Sequence, residues 1–417
     1  MDPVAVNGRP VGDGNECYVI AATGSGHNGS LEQAKQLIDG AVYGGANAIM
    51  FQAYGGDLYH DESPAVRRMV DEGRIDDRPG AFAEYMQSRV MDPSWHPELS
   101  RYASENGIDY IPSVFGDADL QLLAEYHRQG QILLAAIGIE SMDHQDPIFV
   151  AKVASVARDL DIPVVMSTGV REGNSMERAA VTVDQVGAEM VLLHSVAGSP
   201  SVPHEQGLGE IRAMQQRLGV PVGFSDHTIG YVDPDTGEPV DSPSMAQAAV
   251  YENAHAIKAQ IRLPDQADKA PGGPHRAVTP DGLRDMVTAI REAEAYPARA
   301  ARRASDNIRI YQGRSDEPRP SERHLRDLQR TVIPTTDIAE GDELSWDNVT
   351  TGRGGVGMPA RDFGQGAYAS EDLQAGRAVR AEQLRPFRPE TGNPTTLQRT
   401  PRRAPGAIPR NNTRPKR

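Results

Sequence analysis

Residues 17–52 read CYVIAATGSGHNGSLEQAKQLIDGAVYGGANAIMFQ: an apolar run, a glycine-rich turn, a segment of helical pattern, and a second apolar run. In the helical segment, apolar residues recur at spacings of three and four, at Leu31, Ala34, Leu37, Ile38 and Ala41, directly after Ser30. That spacing places them on one face of a helix, and serine is a favoured residue just before a helix start. The stretch therefore reads strand, helix, strand.

Working outward, the same unit recurs through residue 296. Further apolar, β-branched runs are DYIPSVF at 109, ILLAAIG at 132, PVVMST at 163, EMVLLHS at 189, PVGFSD at 221 and HAIKAQIRL at 255, which with the first two make eight. Segments between them, such as DPIFVAKVASVARDL and PDGLRDMVTAIREAE, carry helical spacing and begin beside Asp or Pro. Eight alternations predict an α/β fold, a (β/α)8 TIM barrel, with an open doubly wound sheet as the alternative. In a barrel, the chemistry gathers at the C-terminal ends of the strands, so the polar residues closing each run are the ones to examine.

The rest of the chain divides by composition. Residues 1–297 form the barrel, and 298–328, rich in Arg, Ser, Asp and Pro, read as an extended linker. Residues 329–388 carry short strands, turn signals and two D-[IL]-x-x-G phrases at Asp337 and Asp372, which read as a small β-rich domain. The basic, apolar-poor tail at 389–417 reads as disordered. A charged insertion at 55–93 with Tyr59, His60 and Tyr85 is either a lid over the site or a surface excursion.

Bulk properties narrow the class. A formal charge of −15 argues against general affinity for nucleic acid, and no window reaches the roughly 20 apolar residues of a membrane span. The N-terminus has no signal-like apolar stretch, so the expected compartment is the cytoplasm. The single cysteine, Cys17, sits in an apolar run and reads as a buried small hydrophobe.

At the strand ends, TGSGHNG offers His27 and Asn28 beside glycines that let backbone approach a ligand. Gln52 closes the second run, Ser167 and Thr168 the fifth, and His194 and Ser195 the sixth. Small hydroxyl residues beside glycine suit a phosphate or carboxylate, and equally suit strand capping. The seventh run ends in Ser225, Asp226 and His227, bringing a carboxylate and an imidazole into the barrel mouth. This is the best candidate for metal or acid–base work, although one histidine does not make a metal site.

Taken in order, IAATGSGHNGSLEQAKQLIDGAVYGGANAIMFQ, MSTGV, LLHSV, GFSDHTIGY, PGGPHRAVTPDGL and RTVIPTTDIAEGDELSWDNV resemble the sialic acid synthase family over nearly the whole chain. The resemblance implies condensation of phosphoenolpyruvate with an N-acetylmannosamine-type amino sugar to a nonulosonic acid. It implies a divalent metal, manganese or magnesium, with His227 as first ligand. Residues 329–388 resemble the antifreeze-like (SAF) domain of these enzymes, whose arginine loop reads GRGGVG here. That match implies that Arg353 contacts the sugar and that the protein is a domain-swapped homodimer. By the same resemblance, His27, Asn28, Gln52, Ser167, Thr168, His194, Ser225 and Arg353 bind substrate, Asp226, His227 and Lys258 are catalytic, and Gln260 stands at the second metal position.

Departures from the family pattern gather at the chemistry. Ala22 stands where the family has Glu, Met50 where it has Lys, and a second Lys is missing near Ala135. Ala197 and Ser199 replace Asn and Tyr, and Lys258, Ala259 and Gln260 replace Glu-Lys-His. A glutamine oxygen is a poorer ligand than imidazole for manganese. Lys258, His255 and His275 are the groups placed near the mouth that could compensate. Three functions stay open: a divergent synthase, a non-catalytic homologue that binds sugar or an active synthase partner, and an aldolase using Lys258 as a Schiff base.

Overall fold

In the computed structural model the described residues are 2–297 and 318–386, without 54–63, 199–200, 230, 233–236, 238–241, 267–276, 346, 354–356, 364–366 and scattered positions between 72 and 89. Tyr59, His60, Ser199, His275 and the tail at 389–417 lie outside the described residues.

The chain opens with an antiparallel hairpin, β1 (Val4–Val6) and β2 (Arg9–Val11). Its turn is Asn7-Gly8 with φ of 47° and 77°. Asn-Gly is the favoured pair for a two-residue hairpin, because both positions need positive φ. Eight parallel strands then close into a barrel: β3 (Tyr18–Ala22), β4 (Ala48–Ala53), β5 (Asp109–Val114), β6 (Ile137–Ile139), β7 (Val164–Ser167), β8 (Met190–Ser195), β9 (Val222–Asp226) and β10 (Ala256–Gln260), with β10 pairing β3. The helices are α1 (Leu31–Tyr43), α2 (Pro64–Asp71), α3 (His96–Glu105), α4 (Asp117–Arg128), α5 (Pro147–Asp159), α6 (Ser175–Val186), α7 (Gly209–Leu218), α8 (Ser242–Tyr251) and α9 (Pro280–Ala295). Closure excludes the doubly wound alternative. Among the described residues, no helix is long and apolar enough to cross a membrane.

The strands are apolar almost end to end because both of their faces are buried. Tyr18, Ile20 and Ala22 point into the barrel with Met50, Ile111, Val165, Val191 and Leu193, while Val19 and Ala21 pack outward with Ile49, Phe51 and the helices. Val4, Val6 and Val11 of the hairpin join the inner cluster and stopper the N-terminal end of the barrel. Polar anchors hold the stopper: Asn7 donates to Asp109 at 2.6 Å, and the Tyr18 hydroxyl donates to the other Asp109 oxygen at 2.6 Å. Cys17 is buried as expected, and burial raises its thiol pKa far above the ordinary range.

The run ILLAAIG corrects the sequence reading. Its strand is only Ile137–Ile139, displaced toward the C-terminal end of the run. Gly138 pairs Ser113, and a Cβ there would lie 2.8 Å from the Ser113 Cβ, so glycine permits the two strands to approach. Two consequences follow. Ala135 lines a groove with Asn7 and Arg9 near the stoppered end, far from the mouth, and the residue that closes the strand is Glu140. His255 likewise precedes β10 at the stoppered end, where its Nε2 lies 3.0 Å from Asp13, so it is not available at the mouth.

After the barrel come β11 (Arg330–Pro334), β12 (Glu343–Leu344), β13 (Val349–Arg353), β14 (Ala367–Ala369) and β15 (Leu384–Pro386), in two small antiparallel sheets. The two D-[IL]-x-x-G phrases pair with each other. Ile338 and Leu373 exchange backbone hydrogen bonds, Asp372 accepts from the Glu340 N–H, and Asp337 accepts from the Ala375 N–H, each at 2.9 Å for the side-chain bonds. The end of the expected linker is not extended. Pro320–Leu328 forms helical turns that lie beside α2, and Arg319 and Glu322 are buried.

The C-terminal domain is fastened to the barrel through the turn after β6. Asp143, fully buried, accepts from Arg353 at 2.6 Å and from Arg330 at 3.3 Å. Arg330 also donates to Asp146 at 3.1 Å and to the Phe115 carbonyl at 2.7 Å, and its guanidinium lies 4.5 Å over the Phe149 ring. Asp146 in turn caps α5 by accepting from the Ile148 and Phe149 N–H groups.

Candidate active site

A narrow cleft, holding about 30 Å³, opens at the C-terminal ends of the barrel strands. Ala22 and Gly24 come from the end of β3, Met50 and Gln52 from β4, Ser113 from β5, Glu140 from the end of β6, Ser225, Asp226 and His227 from β9, and Lys258 and Gln260 from β10. The two-residue period of a strand explains the pairs. Met50 and Gln52, or Lys258 and Gln260, share the inward face.

Lys258 dominates the floor. It is 6 % exposed, and its Nζ lies 2.8 Å from both carboxylate oxygens of Glu140. With β10 and β6 four places apart in either direction round the closed barrel, this ion pair crosses the full width of the mouth. Burial alone would raise the Glu140 carboxyl. The Lys258 ammonium and its hydrogen bonds, helped by Ser113 and His227, outweigh it and hold the group below the usual carboxylate range.

Asp226 is buried and accepts from the Thr228 N–H at 2.8 Å and hydroxyl at 2.7 Å through one oxygen, while its other oxygen has no hydrogen-bond partner among the described residues. Burial pushes its pKa up to about 6. The His227 Nε2 stands 3.4 Å from the Ser225 hydroxyl on the same wall.

Six expected site residues therefore meet in the cleft: Gln52, Ser225, Asp226, His227, Lys258 and Gln260. The others are placed elsewhere. His27 is buried, its Nδ1 accepts from the Gly29 N–H at 3.1 Å, and burial takes its pKa down to about 4. Asn28, at φ 46°, donates to Gln33 of α1. These two shape the loop that starts α1. Ser167 is buried on β7 outside the cleft lining, and Arg353 contacts Asp143 and the Phe115 ring of its own chain.

Thr168 and His194 line a second, smaller pocket with Arg171, Ser195, Arg319 and Glu322. His194 gives its Nε2 hydrogen to the Gln206 carbonyl, and burial lowers its pKa to about 3, so it is neutral and its Nδ1 is an unpartnered acceptor. The backbone N–H groups expected to hold an anion after β7 and β8 do hold a carboxylate, the chain's own Glu322. One of its oxygens accepts from the Val170 and Ala197 N–H groups, both at 2.7 Å, and the other accepts from the Arg319 N–H at 2.9 Å. Gly198 lets this segment lie flat, since a Cβ there would come within 2.5 Å of the Ser321 carbonyl. Glu322→Gln should cost about 2 to 3 kcal/mol in urea unfolding of the full chain, because an amide presents one acceptor to three buried donors and hydrogen bonds to a charge are the stronger kind. An unchanged midpoint would show that the docked segment contributes nothing.

The donors poorly suit the expected divalent ion. Among the described residues, no three His, Cys, Asp or Glu side chains converge as a metal requires. The cleft offers one imidazole, two amides and the Asp226 carboxylate, and its other carboxylate, Glu140, is already neutralised by Lys258. The unpartnered Asp226 oxygen does not complete a site with the groups around it.

Two comparisons place this geometry. The chain is 24 % identical to the N,N'-diacetyllegionaminic acid synthase of Legionella pneumophila over 91 % of its own length and 98 % of that protein's, and 24 % identical to a pseudaminic acid synthase of Campylobacter jejuni over 88 % and 96 %. Its fold matches the crystal structure of the spore coat polysaccharide biosynthesis protein SpsE from Bacillus subtilis with a TM-score of 0.69 at 24 % identity, covering 93 % of this chain and all of that one. The NeuB family matches residues 37–300, which run from within α1 through α9, so seven of the eight barrel strands and every wall of the cleft from β4 onward fall within it, and the chain belongs to the NeuB family.

Proposed function

We propose that this protein is a nonulosonic acid synthase that condenses phosphoenolpyruvate with an open-chain amino-sugar aldehyde. The observation that carries the reading is the polar cleft at the barrel mouth. Hydroxyls, amides, an imidazole and a buried ammonium converge there, in a family whose relatives are named as synthases of legionaminic and pseudaminic acids.

In this reaction the methylene carbon of phosphoenolpyruvate attacks the aldehyde carbon, water adds to the former enol carbon, and phosphate leaves. Synthases of this family are generally metal-dependent. In this chain the donor set does not support routing a step through a metal, so the roles fall to side chains. Lys258 stabilises the charge that develops on the aldehyde oxygen, as a fixed cation in a site shielded from water. Gln52, Ser113, Ser225 and Gln260 orient the two reactants. His227 takes the proton of the attacking water.

A second reading rests on Ala22 and Met50, which put apolar side chains into the cleft wall where the resemblance expects a carboxylate and a lysine. It makes the protein a sugar-binding homologue without turnover. Incubation with phosphoenolpyruvate and N-acetylmannosamine or a diacetamido-trideoxyhexose separates them. The first reading expects release of inorganic phosphate only when both substrates are present, with a 2-keto acid product by mass spectrometry. Sugar binding without phosphate release would leave the second reading.

A further inference from the structure

We propose that this cleft works without a divalent metal, with Lys258, locked across the mouth by Glu140, as its built-in cation. The inference rests on the synthase reading above and concerns how that site handles charge.

An ammonium has three N–H donors, and two of those on Lys258 go to the Glu140 oxygens at 2.8 Å. The third is left to serve a substrate oxygen. Glu140 fixes the Nζ in place, so no side-chain freedom is lost when a carboxylate or a developing alkoxide arrives. A metal ion would have to displace this arrangement. Taking Glu140 as a ligand strips Lys258, 6 % exposed, of its counter-ion, and leaving the pair intact offers the ion a carboxylate whose charge is already neutralised. What remains to hold it is His227, the Asp226 carboxylate and the weak amide donors of Gln52 and Gln260, and among the described residues no three His, Cys, Asp or Glu side chains converge on an ion.

The test is calorimetric titration of chelator-stripped, full-length protein with phosphoenolpyruvate in EDTA and in manganese chloride, with free manganese followed by its electron paramagnetic resonance signal. The expected result is the same phosphoenolpyruvate affinity in both media and no stoichiometric loss of the free-manganese signal. Lys258→Met should weaken binding about tenfold or more, the loss of one charged hydrogen bond. Should that variant fail to fold with Glu140 left alone, Lys258→Met/Glu140→Gln removes both charges and is expected to fold and to bind about tenfold or more weakly, as the single variant should. Binding that needs manganese would overturn the proposal and leave the synthase reading standing. Binding in EDTA that survives loss of Lys258 would overturn Lys258 as the cation. No binding in either medium by folded protein would end both the proposal and the synthase reading.

Discussion

Asp143→Asn should destabilise the protein by about 3 to 5 kcal/mol, read as a drop in the free energy of urea unfolding, because it removes one partner from a buried charge network. Asp143 has no solvent exposure and accepts from both Arg330 and Arg353, which are 5 % and 3 % exposed themselves. The asparagine keeps the shape and one acceptor oxygen, so the loss reports charge. Both guanidiniums would stay in the interface, Arg330 with Asp146 and Arg353 over the Phe115 ring. The same substitution should reach the cleft, since the Asp143 N–H bonds to the Glu140 carbonyl at 2.9 Å in the turn that carries the Glu140 side chain. Limited proteolysis should release the C-terminal domain faster than in the parent. A change below about 1 kcal/mol would show that the interface is held by its apolar contacts, such as Ile148 with Val332 and Leu344.

Lys258→Met should lower kcat/KM for the condensation by roughly 10² to 10³, the usual effect of removing one preorganised group that stabilises developing charge. It should also destabilise the fold by about 3 to 5 kcal/mol, because the Glu140 carboxylate is left buried without its counter-ion. The two effects are separable. Adding Glu140→Gln removes the stranded charge, so the double variant should recover most of the stability and none of the activity. Recovery of activity along with stability would mean that Lys258 acts only through folding. Glu140→Gln alone should keep part of the activity, with the ammonium still present but less firmly held, and the loss should appear in KM more than in kcat.

The NeuB barrel was legible because its signal is local. Each strand buries both faces, so each appears as a nearly continuous apolar run, and eight such runs with helical segments between them permit few architectures. Much of the cleft was legible for the same reason. Gln52, Ser225, Asp226 and His227 close runs whose strand ends lie where the pattern puts them, and the family resemblance added Lys258 and Gln260. His27 and Asn28 also follow a strand end, but the loop between β3 and α1 turns their side chains into its own hydrogen bonds. The Asn7-Gly8 hairpin, which the reading of the sequence did not single out, accounts for the stoppered end of the barrel.

Glu140 was missed because ILLAAIG looks like a strand from its first residue, while only Ile137–Ile139 pairs with its neighbours. The family resemblance placed the missing lysine near Ala135, which the structure puts away from the mouth. The Ser321-Glu322 phrase belongs to the family resemblance, but its role was not legible, because nothing in its neighbours reports the three N–H donors waiting on two barrel loops and its own turn.

By itself the sequence determined the barrel, the order of its strands, the β-rich domain after it and most of the polar residues at the mouth, since all of these follow from period and punctuation within a few tens of residues. Only the tertiary structure decided which charges meet. Closing the barrel brings Glu140 and Lys258 together across 118 positions of chain, and docking the C-terminal domain sets Arg330 and Arg353 on Asp143. Those pairings settle the electrostatics of the cleft, because a charge's worth in a buried site depends on its partner, and no local pattern names the partner.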